Sequence, residues 1–145
     1  MNQDFVDLLR AFVDHNVRFL IVGAYALGVH GRPRATGDLD VWVDATPENA
    51  PRIVQALAQF GAPLHEVAHA DFAQPGIVFQ IGLAPGRIDI LTSLTGVTFE
   101  EAWPTRVQAP FGPITVDVLG RDVFIRNKRA IGRARDLGDV ESLGE

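Results

Sequence analysis

Residues 19–44 read FLIVGAYALGVHGRPRATGDLDVWVD, and this segment carries the strongest structural signals of the chain. The segment Arg18–Val22 predicts a short buried strand that Gly23 ends. Ala24–Val29 is then predicted as a short helix, followed by a loop of turn formers and cations. Leu39, Val41 and Val43 alternate with Asp38, Asp40 and Trp42, which predicts a half-buried strand. The starting unit is therefore a strand, a glycine turn, a short helix, a loop and a second strand.

Two aspartates of the second strand are the leading site candidates. Asp38 and Asp40 stand two positions apart, so their side chains leave one face of the strand while Leu39 and Val41 can enter the core. Neighbouring carboxylates repel unless a cation lies between them or one is protonated. Such oxygen ligands suit Mg²⁺ or Mn²⁺, which keep positions open for phosphate oxygens. The pair indicates a metal site or, alternatively, a solvated strand face.

A third carboxylate lies downstream, in the run RIDIL at residues 87–91. Asp89 has apolar neighbours there, on a strand that can lie beside the first, and an acid in such surroundings needs a partner. Ions held by several carboxylates can activate a hydroxyl and stabilise an in-line phosphoryl displacement. We therefore predict that Asp38, Asp40 and Asp89 are both metal ligands and catalytic residues.

The remaining pattern predicts an α+β protein, with a mixed sheet flanked by helices, in a single domain of residues 1–145. Helical spacing predicts a first helix over 3–15, and Thr46-Pro47-Glu48 predicts the start of a helix that runs to Phe60. The other expected elements are strands at 76–83, 87–91, 107–109 and 114–118 and helices at 99–103, 121–131 and 137–143. The four strands are expected to pair as two hairpins.

Composition narrows the function classes. Hydrophobic residues make up 47% and charged residues 21% of the chain, which is enough for one sizeable core. The net charge of −5 argues against a generally basic nucleic-acid binder, although a local basic patch is compatible with it. The chain has no cysteine, which excludes disulfide scaffolds, thiolate zinc sites and cysteine nucleophiles. We expect a cytoplasmic protein with no signal peptide and no membrane partner.

At these residues the chain resembles a known family, the minimal nucleotidyltransferases. The stretch 19–44, with RIDIL downstream, is similar to their glycine turn, D-x-D strand and third acid. The segment FIRNKRAIGRARDLGDVESL, residues 124–143, is similar to the closing helices of small bacterial members, some of them toxin–antitoxin components. The resemblance implies transfer of a nucleoside monophosphate from an NTP such as ATP to an acceptor hydroxyl, with Mg²⁺ or Mn²⁺ as cofactor and release of pyrophosphate.

The resemblance also implies roles for single residues. The three aspartates would hold the metals, and Asp89 would help to activate the acceptor hydroxyl. Gly23 and the amide of Ala24 would contact the triphosphate, and Lys128 matches a lysine that lies near the phosphates in similar proteins. The family's turn is usually Gly-Gly or Gly-Ser, so Ala24 lacks a serine hydroxyl. Arg34, in the loop before the aspartates, is a candidate either for a phosphate contact or for a surface ion pair.

Two alternatives compete with this hypothesis. The motif H-E-x-x-H at residues 65–69 can bind zinc if both histidines share a helical face, with Asp89 as a third ligand by spacing, which would indicate a zinc hydrolase. A non-catalytic binding module of the toxin–antitoxin type is the other alternative, motivated by Ala24 and by the basic helix around Lys128. The expected partners are an NTP, an acceptor that is a small molecule, a protein or RNA, and in the second case a partner protein.

Overall fold

The computed structural model describes residues 2–31, 37–65, 67–83 and 85–145. Its strands are β1 (Phe19–Val22), β2 (Leu39–Val43), β3 (Val78–Ile81), β4 (Ile88–Leu91), β5 (Val107–Phe111) and β6 (Ile114–Val118). Its helices are α1 (Gln3–Asp14), α2 (Gly23–Val29), α3 (Ala50–Phe60), α4 (Phe99–Ala102), α5 (Arg121–Ile131) and α6 (Ala134–Ser142). Short 3₁₀ helices span His69–Ala73 and Trp103–Thr105. The strands form one six-stranded mixed sheet in the order β3-β4-β2-β1-β6-β5.

The strand that carries the D-x-D motif lies inside the sheet. β2 pairs antiparallel with β1 and parallel with β4. Leu39, Val41 and Val43 are completely buried, as the alternation in the sequence predicts. On the opposite face, Trp42 packs edge-on against Phe99 of α4, with 5.0 Å between the ring centroids. Both faces are therefore covered at one end of β2, and the aspartates lie at the other end.

The two predicted hairpins are both present. β3 and β4 pair antiparallel, with Val78 opposite Leu91 and Ile81 opposite Ile88. β5 and β6 pair antiparallel around the turn at Gly112, and β6 joins the sheet through a parallel contact with β1. The mixed α+β sheet expected from the order of the elements is thus confirmed.

Helix α1 begins where its sequence indicates. The side chain of Asn2 accepts hydrogen bonds from the backbone N–H groups of Asp4 (2.8 Å) and Phe5 (3.3 Å), which satisfies two free donors of the first turn. Its apolar face, which includes Leu8 and Phe12, is fully buried, and the helix packs against α3. In the described part of the chain, no helix is both long and apolar enough to cross a membrane.

The predicted start of the third helix is wrong by several residues. Helix α3 begins at Ala50, and Thr46-Pro47-Glu48 forms a turn before it. The Thr46 hydroxyl accepts a hydrogen bond from the Asn49 N–H at 3.1 Å, so Thr46 caps the turn that precedes α3 and not α3 itself. Buried Asn49 then donates to the carbonyls of Arg18 (3.0 Å) and Asp44 (2.9 Å). These bonds tie the turn to the ends of β1 and β2, which a pattern of local helix signals does not reveal.

Candidate active site

Three carboxylates meet where β2 and β4 run side by side. Asp40 and Asp89 stand directly opposite each other in the parallel pairing of the two strands. Directly paired residues point to the same face of a sheet, so both carboxylates face one side. Asp38 lies two residues before Asp40, and its side chain is 29% exposed, whereas the side chain of Asp89 is 11% exposed. The structure therefore brings together the three acids that the sequence singled out.

Glycine at position 23 is required by the position of Asp40. Val22 is paired with Asp40 across β1 and β2, and Gly23 follows with a φ of +68°. A Cβ on Gly23 would overlap Oδ2 of Asp40 and would stand 3.1 Å from its Cγ. No other residue combines that left-handed backbone with that lack of bulk. The turn therefore brings the backbone at the start of α2 against a carboxylate of the site.

Arg87 is a site residue that sequence reasoning missed. Its Nε lies 3.0 Å from Oδ1 of Asp89, and its Nη2 lies 3.5 Å from Oδ2 of Asp38. Its backbone N–H donates to Oδ1 of Asp38 at 3.2 Å, and its carbonyl accepts from the Leu39 N–H at 2.9 Å. Arg87 stands two residues before Asp89 on an extended segment, so the period of two already placed it on the same face.

The ion pair between Arg87 and Asp89 is close but poorly directed. Although Nε of Arg87 and Oδ1 of Asp89 are 3.0 Å apart, neither of these buried atoms has a hydrogen-bond partner of acceptable geometry. The attraction between the two groups is therefore chiefly that of opposite charges. A buried carboxylate oxygen without a directed donor can accept a further ligand.

Of the three acids, Asp40 is the one whose pKa the surroundings clearly raise. Burial, followed by the negative charges of Asp89 and Asp38, raises the pKa of Asp40 from 3.8 to about 6. The positive charges of Lys128 and Arg87 act in the opposite direction but do not compensate. Three acids compete for too little positive charge, and a divalent cation would remove that imbalance.

Lys128 reaches the site from α5 and is held there by α6. Its Nζ lies 3.3 Å from Oδ1 of Asp136 and 3.8 Å from Oδ2 of Asp139, and its side chain is only 12% exposed. Arg133 donates to Asp136 at 2.6 Å, and this hydrogen bond, ahead of the charge of Lys128, lowers the pKa of Asp136. Asp136 and Asp139 of α6 therefore both form salt bridges with Lys128, and Asp136 also pairs with Arg133.

The donor set suits a hard cation in kind, but the side chains do not form a finished cage. Within the ranges that the structure describes, no group of three or more His, Asp or Glu side chains is arranged to hold a metal ion. Carboxylate oxygens are nevertheless the ligands that Mg²⁺ and Mn²⁺ prefer. The raised pKa of Asp40 and the Oδ1 atom of Asp89, which accepts no well-directed hydrogen bond, both indicate that the cluster can take a cation. The guanidinium of Arg87 contacts both Asp38 and Asp89 and so occupies oxygens that a metal ion would bind.

The two remaining candidates lie next to Gly23 or outside the described residues. Arg34 and the rest of segment 32–36 are not described. Ala24 follows Gly23 in α2 and is half-buried.

The H-E-x-x-H segment does not form a metalloprotease helix. His65 lies in a turn, and His69 begins a 3₁₀ helix of five residues, whereas Glu66 lies outside the described residues. The described residues of this segment thus lack the continuous α-helix that would place both histidines on one face. Asp89, the third ligand suggested by spacing, instead lies opposite Asp40 in the pairing of β2 and β4.

Two solved structures share the fold of this chain. The lincomycin-bound lincosamide antibiotic adenylyltransferase LnuA superposes with a TM-score of 0.62 at 12% identity, over 100% of this chain and 97% of that chain. A Thermotoga maritima protein assigned as a nucleotidyltransferase gives a TM-score of 0.62 at 12% identity, over 98% of this chain and 93% of that one. The chain has the nucleotidyltransferase fold. No protein-family model matches it, and neither does any curated protein sequence.

Proposed function

We propose that this protein is a metal-dependent nucleotidyltransferase that transfers a nucleoside monophosphate from an NTP to an acceptor hydroxyl. The observation that carries the proposal is the pairing of Asp40 with Asp89 across parallel strands, with Asp38 beside them and Gly23 packed on Asp40. The nucleotidyltransferase fold supports it. We further propose that residues 1–145 act as one domain and that the reaction takes place in the cytoplasm, where NTPs are available.

The reaction assigns a part to each group. Asp38, Asp40 and Asp89 would hold Mg²⁺ or Mn²⁺, which when bound neutralises phosphate charge and favours ionisation of the acceptor hydroxyl. The acceptor oxygen attacks the α-phosphorus, the bond from that phosphorus to the α–β bridging oxygen breaks, and pyrophosphate leaves. Asp89 orients the hydroxyl and receives its proton.

The phosphate chain would lie against cations and backbone donors. Gly23 packs on Asp40 at the turn, and Gly23 and the amide of Ala24 are the proposed triphosphate contacts. Lys128, whose charge acts on Asp40, is proposed to lie near the same phosphates, and Arg34 is the proposed contact from the preceding loop. Because Ala24 lacks the serine hydroxyl found in some family members, this turn would bind the phosphates through backbone N–H groups alone.

A small-molecule acceptor is the first class to test. A cavity of about 460 Å³ beside β3 is lined by residues that include Phe72, Val78 and Gln80, and Gln80 stands opposite Asp89 in the β3–β4 pairing. This volume is typical of small-ligand sites. LnuA is a lincosamide antibiotic adenylyltransferase, so a chain of similar length and fold acts on a small molecule. ATP is accordingly the first donor to test, and protein and RNA acceptors are the next classes.

Labelled transfer tests the proposal. Purified protein is incubated with α-³²P-labelled NTPs, Mg²⁺ or Mn²⁺, and metabolite, protein and RNA fractions. We expect a labelled acceptor and pyrophosphate from wild type, loss of both in Asp40→Asn and Asp89→Asn, and retention in Asp117→Asn, a strand aspartate paired with Arg106 away from the site. A folded protein that labels no fraction, yet binds a partner protein tightly, would support the non-catalytic module instead.

A further inference from the structure

Arg87 and a divalent cation compete for the same oxygens. The guanidinium of Arg87 lies 3.0 Å from Oδ1 of Asp89 and 3.5 Å from Oδ2 of Asp38. A metal bound by these two carboxylates would place two more positive charges within a few ångströms of the guanidinium. Arg keeps its charge at any pH at which the protein is folded, so it cannot relieve that repulsion by losing a proton. It has to move away from the oxygens.

The geometry makes such a movement inexpensive. The side chain of Arg87 is 34% exposed as a whole, so although Nε is buried, part of the side chain already borders water into which it can move. The contact with Asp89 lacks a directed hydrogen bond, and the contact with Asp38 is long at 3.5 Å. The backbone N–H of Arg87 holds Asp38 independently at 3.2 Å. The side chain can therefore leave while the strand and the carboxylate positions remain.

We propose that Arg87 is a built-in counter-cation that neutralises Asp38 and Asp89 until a divalent metal ion displaces it. The proposal rests on the proposed function only in requiring that the carboxylates bind a metal. Its consequence is that Arg87 weakens the binding of metal alone. The phosphate oxygens of a nucleoside triphosphate can bind the displaced guanidinium, because the planar fork of arginine matches the geometry of phosphate. Binding of the nucleotide should therefore increase the affinity for the metal ion, and binding of the metal ion should increase the affinity for the nucleotide.

The test measures Mn²⁺ affinity in the absence of nucleotide, through the EPR signal of free Mn²⁺. We expect Arg87→Gln to bind Mn²⁺ about threefold to tenfold more tightly than wild type, because no ion pair has to be broken. Arg87→Lys keeps the charge and should stay near the wild-type affinity. Arg106→Gln is the matched control, since Arg106 is also 34% exposed, also directly precedes a strand and pairs with Asp117 at 3.5 Å. It should leave Mn²⁺ binding unchanged.

A second measurement uses the wild-type protein, so that the test survives a variant that fails to fold. The ¹H–¹⁵N signal of the Arg87 Nε–H should shift and lose protection from solvent exchange when Mg²⁺ is added, whereas the Arg106 signal should not. The proposal is overturned if Arg87→Gln binds Mn²⁺ no more tightly than wild type, or if saturating Mg²⁺ leaves the Arg87 signal unchanged. In either case the proposed function is not affected, provided that the wild-type protein binds metal. Failure of wild type and Arg87→Gln alike to bind Mn²⁺ overturns both.

Discussion

Replacing Asp40 by asparagine should stabilise the protein at neutral pH when divalent metal is removed. The pKa of Asp40 rises from 3.8 to about 6, chiefly through burial and then through the charges of Asp89 and Asp38. A rise of about 2 pKa units corresponds to about 3 kcal/mol at about 1.4 kcal/mol per unit. Because the carboxylate is partly exposed, solvent screening reduces the expected gain to about 2 kcal/mol. Most mutations at a buried polar residue go the other way, which makes the sign informative.

The pH dependence identifies the cause. With a folded-state pKa above the unfolded-state value, Asp40 binds a proton more tightly in the native protein between pH 3.8 and about 6. Its favourable contribution is thus complete below pH 3.8 and is lost as the pH rises through about 6. The asparagine variant has no such loss. The difference in the free energy of unfolding should therefore be small near pH 4 and should grow to its full value by pH 7.

Urea denaturation in EDTA buffers between pH 4 and 8, followed by circular dichroism, measures these free energies. Asp117→Asn, which breaks a surface pair with Arg106, is the control and should change stability by less than about 1 kcal/mol. Added Mn²⁺ should stabilise wild type and not Asp40→Asn. A destabilised Asp40→Asn at pH 7, or a difference that does not vary from pH 4 to 7, would refute the idea of crowded carboxylates.

Three further predictions concern other parts of the site and its surroundings. Gly23→Ala should cost about 1–3 kcal/mol of stability and abolish metal–nucleotide binding, because its Cβ overlaps Asp40, whereas Gly61→Ala, with a φ of +95° and open space around it, should leave binding intact in the same calorimetric titration. Lys128→Met should lower the free energy of unfolding by about 1–3 kcal/mol, since buried Asp136 keeps Arg133 but loses a second cation, and nucleotide titration should show weaker binding; unchanged urea midpoints would contradict this. Trp103→Leu should cost about 1–2 kcal/mol without affecting nucleotide binding, because the guanidinium carbons of Arg18 and Arg106 lie 4.5 Å and 3.9 Å from the centre of its ring; thermal melts check this, and a loss of nucleotide binding would show that the site depends on Trp103.

The sheet was predictable because its signals are local and repeat with period two. Alternation placed Leu39 and Val41 in the core and Asp38 and Asp40 on the opposite face, and the structure confirms this arrangement. The start of α3 was not predictable from Thr46, because the contacts of Asn49 with distant strand ends decide where the helix begins. Those contacts depend on tertiary structure, and local cap signals carry no information about it.

The clustering of the three acids was predictable from the sequence, and the cations that contact them were not. Asp89 was recognisable as an acid among apolar neighbours, and the register of β2 and β4 places it opposite Asp40. Arg87 was overlooked because a cation at a strand end usually faces solvent, although its spacing from Asp89 carried the signal. The partners of Lys128 come from α6, across a turn at Gly132, and the packing of two helices is needed to bring them together.

Calorimetric titration of ATP into the protein, with and without Mg²⁺, tests the central claim most directly. We predict one binding event that requires Mg²⁺, disappears in Asp40→Asn and Asp89→Asn, and persists in Asp117→Asn. Binding that is independent of Mg²⁺ or indifferent to the two site substitutions, or no binding of any NTP by the folded wild-type protein, would contradict a metal–nucleotide site at Asp38, Asp40 and Asp89.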